Sequence, residues 1–107
     1  MKGSEDVAAH FGANLRRARR RTGLSQEAVG FRASLHRTEV GLLERGARVP
    51  RIDTLVKLCA ALGVRADCAL LDGIMWDAGR TTTTPGEFTF GSPGEGPSGL
   101  PAELKGG

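Results

Sequence analysis

The sequence predicts an all-α fold, a bundle of five short helices over residues 1–73, followed by a short β-hairpin at 74–90 and a disordered tail at 91–107. Three observations carry this. Apolar residues recur at intervals of three and four along successive short stretches, the spacing that puts them on one face of a helix. Gly23 and Gly63 follow two of those stretches, where a left-handed residue ends a helix. After Gly73 the composition changes to threonine, glycine, proline and a few large apolar residues.

In chain order, 1–6 is polar and expected to fray. Phe11, Leu15 and Ala18 give the first helix, within 7–21, a single apolar stripe. Val29, Ala33, Leu35, Val40 and Leu43 follow in the next stretch, LSQEAVGFRASLHRTEVGLLERG. The helical spacing breaks between Ala33 and His36, which divides the stretch into helices at roughly 26–32 and 37–44 joined by a tight turn. Ser25 is placed to cap the first of them, and Glu27 complements its positive end. Helices this short do not persist alone in water, so their apolar faces must be buried against more chain. That chain is IDTLVKLCAALGV, with Leu55, Leu58, Cys59 and Leu62 on one face, and then RADCALLDG, with Leu70 and Leu71 turned inward. Cys59, on an apolar face and without a histidine cluster nearby, reads as a small free hydrophobe.

The pair of helices between Leu24 and Gly46 resembles the helix-turn-helix of the Cro and phage-repressor (XRE) family, which opens with LSQ and closes with ERG. FGANLRRARRRTGLSQ resembles the first helix and entry turn of the same domain, and the likeness extends through Asp72. It implies a lambda-repressor-like bundle in which Gly30 is the small residue at the helix crossing. Ser34 departs from the pattern, since the family carries a left-handed glycine there; a serine costs about 1 kcal/mol or more in that conformation.

The resemblance also implies site residues. The second helix of the unit enters the major groove, and residue-by-residue mapping puts His36, Arg37, Thr38, Gly41 and Leu42 on its base-facing surface. Arg37 can pair with guanine in bidentate fashion, while Thr38 and Leu42 can meet a thymine methyl. Glu39 can either accept from cytosine or hold Arg37 in place. Gln26, Arg45, Arg48 and Arg51 are the phosphate-contact candidates; Arg16 and Arg17 are weaker ones. Arg19 is either a solvated charge or the partner of Glu44, and the family pattern favours a structural ion pair.

Charge agrees with a polyanion partner for the first part of the chain: residues 1–73 carry a net +5 and residues 74–107 a net −2, which together give the +3 of the chain. No cofactor or metal is expected, because His10 and His36 are isolated and neither paired acids nor a glycine-rich phosphate loop occurs. The same absences argue against an enzyme. With no long apolar run, a soluble cytoplasmic protein is expected, with no membrane partner.

The leading expectation is a sequence-specific regulator of transcription bound to double-stranded DNA, a homodimeric repressor reading the groove with helix 37–44. The alternative is an antitoxin or adaptor that binds a protein partner through 74–90. That segment concentrates Ile74, Met75, Trp76, Phe88 and Phe90. It can fold back on its own domain, for instance over Phe31, or pair across a dimer; an open strand edge favours the dimer.

Overall fold

The computed structural model describes residues 3–91, so the reading of a disordered tail lies outside the described residues from position 92 onward. Helix α1 spans Ser4–Thr22, α2 Gln26–Ala33, α3 Arg37–Glu44 and α4 Ile52–Leu62. A fifth helical segment, α5, is one wide turn over Ala66–Leu70, closed by the Leu71 amide on the Ala66 carbonyl at 2.7 Å. Strands β1 (Ile74–Asp77) and β2 (Glu87–Phe90) form the antiparallel hairpin, with Ile74 opposite Phe90 and Trp76 opposite Phe88.

Each boundary has a local cause. Helix α1 begins at Ser4, three residues earlier than its apolar stripe indicates, because the Asp6 carboxylate accepts from the Gly3 amide and organises the polar first turn. It ends at Gly23, whose φ of 75° is left-handed. The Ser25 hydroxyl accepts from the Ala28 amide at 3.0 Å and starts α2. Ser34 ends it with φ 54°, left-handed as the family's glycine would be, and the Leu35 amide closes on the Gly30 carbonyl at 2.8 Å. The resulting turn keeps the family's backbone on a residue poorly suited to it.

Phe11 and Leu15 of α1, Val29 of α2, Val40 and Leu43 of α3, Leu58 of α4 and Leu70 of α5 are almost wholly shielded from solvent and form one core. Leu35, Leu55, Cys59 and Leu71 are only partly covered at its margin. Burial pushes the Cys59 thiol above its ordinary pKa, while Cys68 is exposed; neither forms a disulfide. Asn14, also buried, is a polar bolt within the core: its amide donates to the Leu70 and Asp72 carbonyls, both at 2.9 Å. It ties α1 to the end of α5 and satisfies the buried Leu70 carbonyl, which would otherwise lose water without return.

The hairpin packs against α1. The His10 ring stacks on Phe90 at 5.1 Å, and its Nε2 lies 3.1 Å from the Asp72 carbonyl oxygen. Ile74 joins the core margin, and Trp76 meets Phe88 edge-on at 4.9 Å. The hairpin thus folds back on its own domain, but over α1 and not over Phe31, which is 87% exposed, because the hairpin follows α5 and α5 docks on α1.

Two glycines allow close approach. A methyl group on Gly30 would lie 2.7 Å from the Leu35 carbonyl oxygen inside the helix-turn-helix. On Gly12 it would lie 2.5 Å and 2.6 Å from the Leu43 and Glu44 carbonyl oxygens, so α1 and α3 meet backbone to side there. Gly12→Ala should therefore destabilise by about 1–3 kcal/mol, although alanine gains about 1 kcal/mol in helix propensity. Thermal or urea unfolding reads this directly, and an unchanged or raised midpoint would show that the crossing has room to spare.

Candidate nucleic-acid interface

The site begins with the start of α3. His36 precedes the helix in extended conformation, and its Nδ1 accepts from the Thr38 amide at 3.1 Å, so an imidazole serves as the cap. His36, Arg37 and Thr38 are all exposed on the open side of α3. Leu42 is half-buried rather than fully solvent-facing, so it has a packing role in addition to any base contact. Gly41 is buried: the place a Cβ would occupy lies 3.2 Å from Arg45 Nη1 and 3.4 Å from Gln26 Oε1. In the free protein the ends of the Gln26 and Arg45 side chains stand over it.

Behind that surface stands Glu44, the last residue of α3, with its side chain wholly buried. Arg19 reaches it from α1 with two bonds, Nε to Oε2 at 2.5 Å and Nη2 to Oε1 at 2.9 Å. Arg19 Nη1 also donates to the Leu24 carbonyl at 3.1 Å, just before α2. Gln26 at the start of α2 donates to Glu44 Oε1 at 3.1 Å, and Arg16 Nε lies 3.5 Å from the same oxygen. One carboxylate therefore fastens α1, α2 and α3 together. The family pattern points to Arg19 and Glu44; the additional bond from Gln26, which that pattern gives only a phosphate role, comes from the structure. The near-coincidence of Gln26 in space with Glu44 follows from the turn geometry, which spacing does not reveal.

Desolvation pushes the Glu44 carboxyl up, but hydrogen bonds from Arg19 and Gln26 and the neighbouring positive charge outweigh it. The net pKa lies below the ordinary glutamate range. The same bond raises the Arg19 pKa.

The remaining arginines are held more loosely. Arg37 Nη1 contacts Glu27 Oε2 at 3.0 Å, with both side chains exposed. Glu39 pairs with Arg48 and leaves Arg37 to Glu27, which corrects the expectation that Glu39 could steady Arg37. Arg51 Nε lies 3.3 Å from Asp53 Oδ1 at the start of α4. Arg45, Arg48 and Arg51 are all exposed along the loop that leaves α3. Such solvent-exposed pairs contribute about 0–1 kcal/mol, so a phosphate can displace the carboxylate at little cost.

This arrangement, two short helices locked at a tight turn with the second presenting its capped start, defines a DNA-binding helix-turn-helix protein. A helix-turn-helix domain family model matches residues 10–71, more than half of the chain, and the chain belongs to that DNA-binding family of transcription regulators. It is 42% identical over 59 residues to the HTH-type transcriptional regulator y4dJ of Sinorhizobium fredii, covering 55% of this chain and 77% of that one. It is 39% identical over 63 residues to the control protein C.BamHI of Bacillus amyloliquefaciens, covering 58% and 78% respectively. Among solved structures it resembles the restriction-modification controller protein C.AhdI of Aeromonas hydrophila, with TM-score 0.55 and 38% identity over 56% of this chain and 91% of that chain. The hairpin lies beyond the matched family region. Among the described residues, no helix is long and apolar enough to cross a membrane.

Removing either partner of the buried pair strands the other charge. Arg19→Ala and Glu44→Ala should each cost about 3–5 kcal/mol, and the double variant clearly less than the sum. The pH dependence has a definite sign. The folded Glu44 pKa is depressed, so the contribution is complete above the unfolded value of about 4.3 and is lost as pH falls toward the folded one. The stability gap between wild type and Glu44→Gln should therefore narrow on acidification below about pH 4. Small additive losses that do not vary with pH would mean that the carboxylate does not bind the helices together.

Proposed function

We propose that the protein is a sequence-specific DNA-binding regulator that acts as a dimeric repressor and reads the major groove with α3. The observation that carries this reading is the exposed His36–Arg37–Thr38 start of a helix whose other end is locked by Glu44. A fixed helix presenting Arg37 can discriminate guanine by about 1–3 kcal/mol. Gln26, Arg45, Arg48 and Arg51 border that helix, and as phosphate contacts they would set register without reading sequence. Repression needs only that the site be occupied, which an interface of this kind provides.

The dimer is supported by two facts. A single module of this size buries about 600–1,000 Å² on DNA, so a second half-site is the ordinary route to useful affinity. Ile52 and Val56, one turn apart on α4, are 81% and 62% exposed, and Val49, three residues before Ile52, is 43% exposed. An apolar stripe at this spacing suits an isologous contact with a second copy. The second reading, a protein partner at 74–90, is supported by Trp76, 57% exposed on a hairpin that the family match does not include.

Selection of bound sites from random duplexes should enrich inverted repeats. On such a site Arg37→Ala should cost about 1–3 kcal/mol and relax one base position. Arg48→Ala should weaken all sequences alike and reduce the salt slope by about one unit. If Arg37→Ala leaves the preference intact, α3 does not read bases through it.

The oligomer has its own test. Ile52→Glu combined with Val56→Glu should sediment as a monomer that keeps half-site binding but loses much of its affinity for the full repeat. A wild-type chain that sediments as a monomer both free and on DNA would remove the dimer from the reading.

A further inference from the structure

A second surface adjoins Glu44, and two of its arginines, Arg20 and Arg21, take part in none of the contacts described above. Helix α1 and the end of α3 enclose an open cleft of about 650 Å³. Arg16, Arg17, Arg20 and Arg21 line it from α1, and Arg45 from the end of α3. Ala9 and Ala13 leave its floor free of bulk. Glu44 is the one carboxylate on its wall, and it is already saturated by Arg19, Gln26 and Arg16. Arg17 is engaged with the Asn14 amide oxygen. Among the described residues, Arg20, Arg21 and Arg45 make no salt bridge. Several guanidinium groups without counter-charge, converging on an open space, fit phosphate oxygens, which their forked donors can grip in pairs.

We propose that this cleft binds the phosphate backbone of DNA lying outside the major-groove site and so lengthens the footprint of each domain; this rests on the DNA-binding reading above. Continuity supports DNA as the source of the phosphates. Arg45 lines the cleft and at the same time covers Gly41 on α3, so one side chain borders both surfaces. On the proposed path, a strand leaving the recognition helix past Arg45 runs on to the α1 arginines that share the cleft with it. The contact carries no base information and acts through charge.

The bland account of Arg20 and Arg21 is that they complement the negative end of α1, where both lie in the last turn. The experiment separates the two. A selected site is prepared as a duplex trimmed to its contacted core and as one extended by about half a helical turn on each side. Wild type, Arg20→Ala/Arg21→Ala and Arg20→Lys/Arg21→Lys are titrated with both at several salt concentrations, and helicity and unfolding midpoint are measured in parallel. The alanine variant should bind the extended duplex about tenfold more weakly, with a salt slope lower by about two units. It should bind the trimmed duplex like wild type, with unchanged base preference, and the lysine variant should keep most of the extended-duplex affinity.

Wild-type affinity and slope for the alanine variant on the extended duplex overturn the proposal. Equal loss on both duplexes together with a lowered midpoint also overturns it and leaves only the helix-end role. Saturable binding of inorganic pyrophosphate that the alanine variant loses, with extended-duplex binding intact, overturns it in favour of a free phosphate ligand. If wild type binds duplexes without base preference, the reading of α3 as sequence-specific fails. Loss of that binding in the alanine variant would still support the cleft.

Discussion

The recognition surface depends on one buried carboxylate. Three chain segments converge on Glu44: Arg19 from α1, Gln26 from the start of α2, and α3 itself. Without it, α2 and α3 would be two helices of eight residues each, too short to hold an angle by their own hydrogen bonds. Burying a charge is unfavourable, and here the cost is offset by hydrogen bonds on both oxygens. What the arrangement secures is orientation. Arg37 and Thr38 are useful to a DNA-reading helix only if that helix always leaves the core in the same direction.

Rigidity at the back contrasts with looseness at the front. Arg37, Arg48 and Arg51 each rest on an acid at or near the surface, in contacts that solvent weakens. These pairs hold the guanidinium groups extended without committing them, so ordering them on a ligand costs less than ordering free side chains. Family membership agrees with this division, since the matched residues 10–71 contain both the buried fastener and the exposed arginines.

Much of the architecture was legible from residue spacing. Phe11, Leu15, Val29, Val40, Leu43 and Leu58 fall at helical intervals, and all are almost wholly buried. The β-prone runs at roughly 74–78 and 86–90, around a turn, match strands Ile74–Asp77 and Glu87–Phe90. Three features were not legible, each for a physical reason. Asn14 is polar, so no hydrophobic pattern marks it, and its bonds to Leu70 and Asp72 span more than fifty residues. Gly12 looks like any helical glycine until α3 is placed against it. Gly41 falls on the open face by alignment of the motif, and its cover by Gln26 and Arg45 in the free protein depends on two side chains whose reach a linear sequence does not convey. Motif mapping located the three arginines of the loop after α3, but not Glu39 and Asp53, the acids on which Arg48 and Arg51 rest, which are chosen by rotamers at the surface.

Helix α1 carries two kinds of joint on interleaved positions. His10 and Asn14 hold the hairpin and the end of α5, while Gly12, Arg16 and Arg19 meet α3. Apart from Arg19, five residues beyond Asn14, each of these positions lies within one helical turn of a residue serving the other joint. An evolving lineage therefore cannot refit the appended hairpin on this helix without putting the seating of the recognition helix at risk. Pleiotropy of that kind constrains change in the first helix, although it bears none of the proposed base contacts.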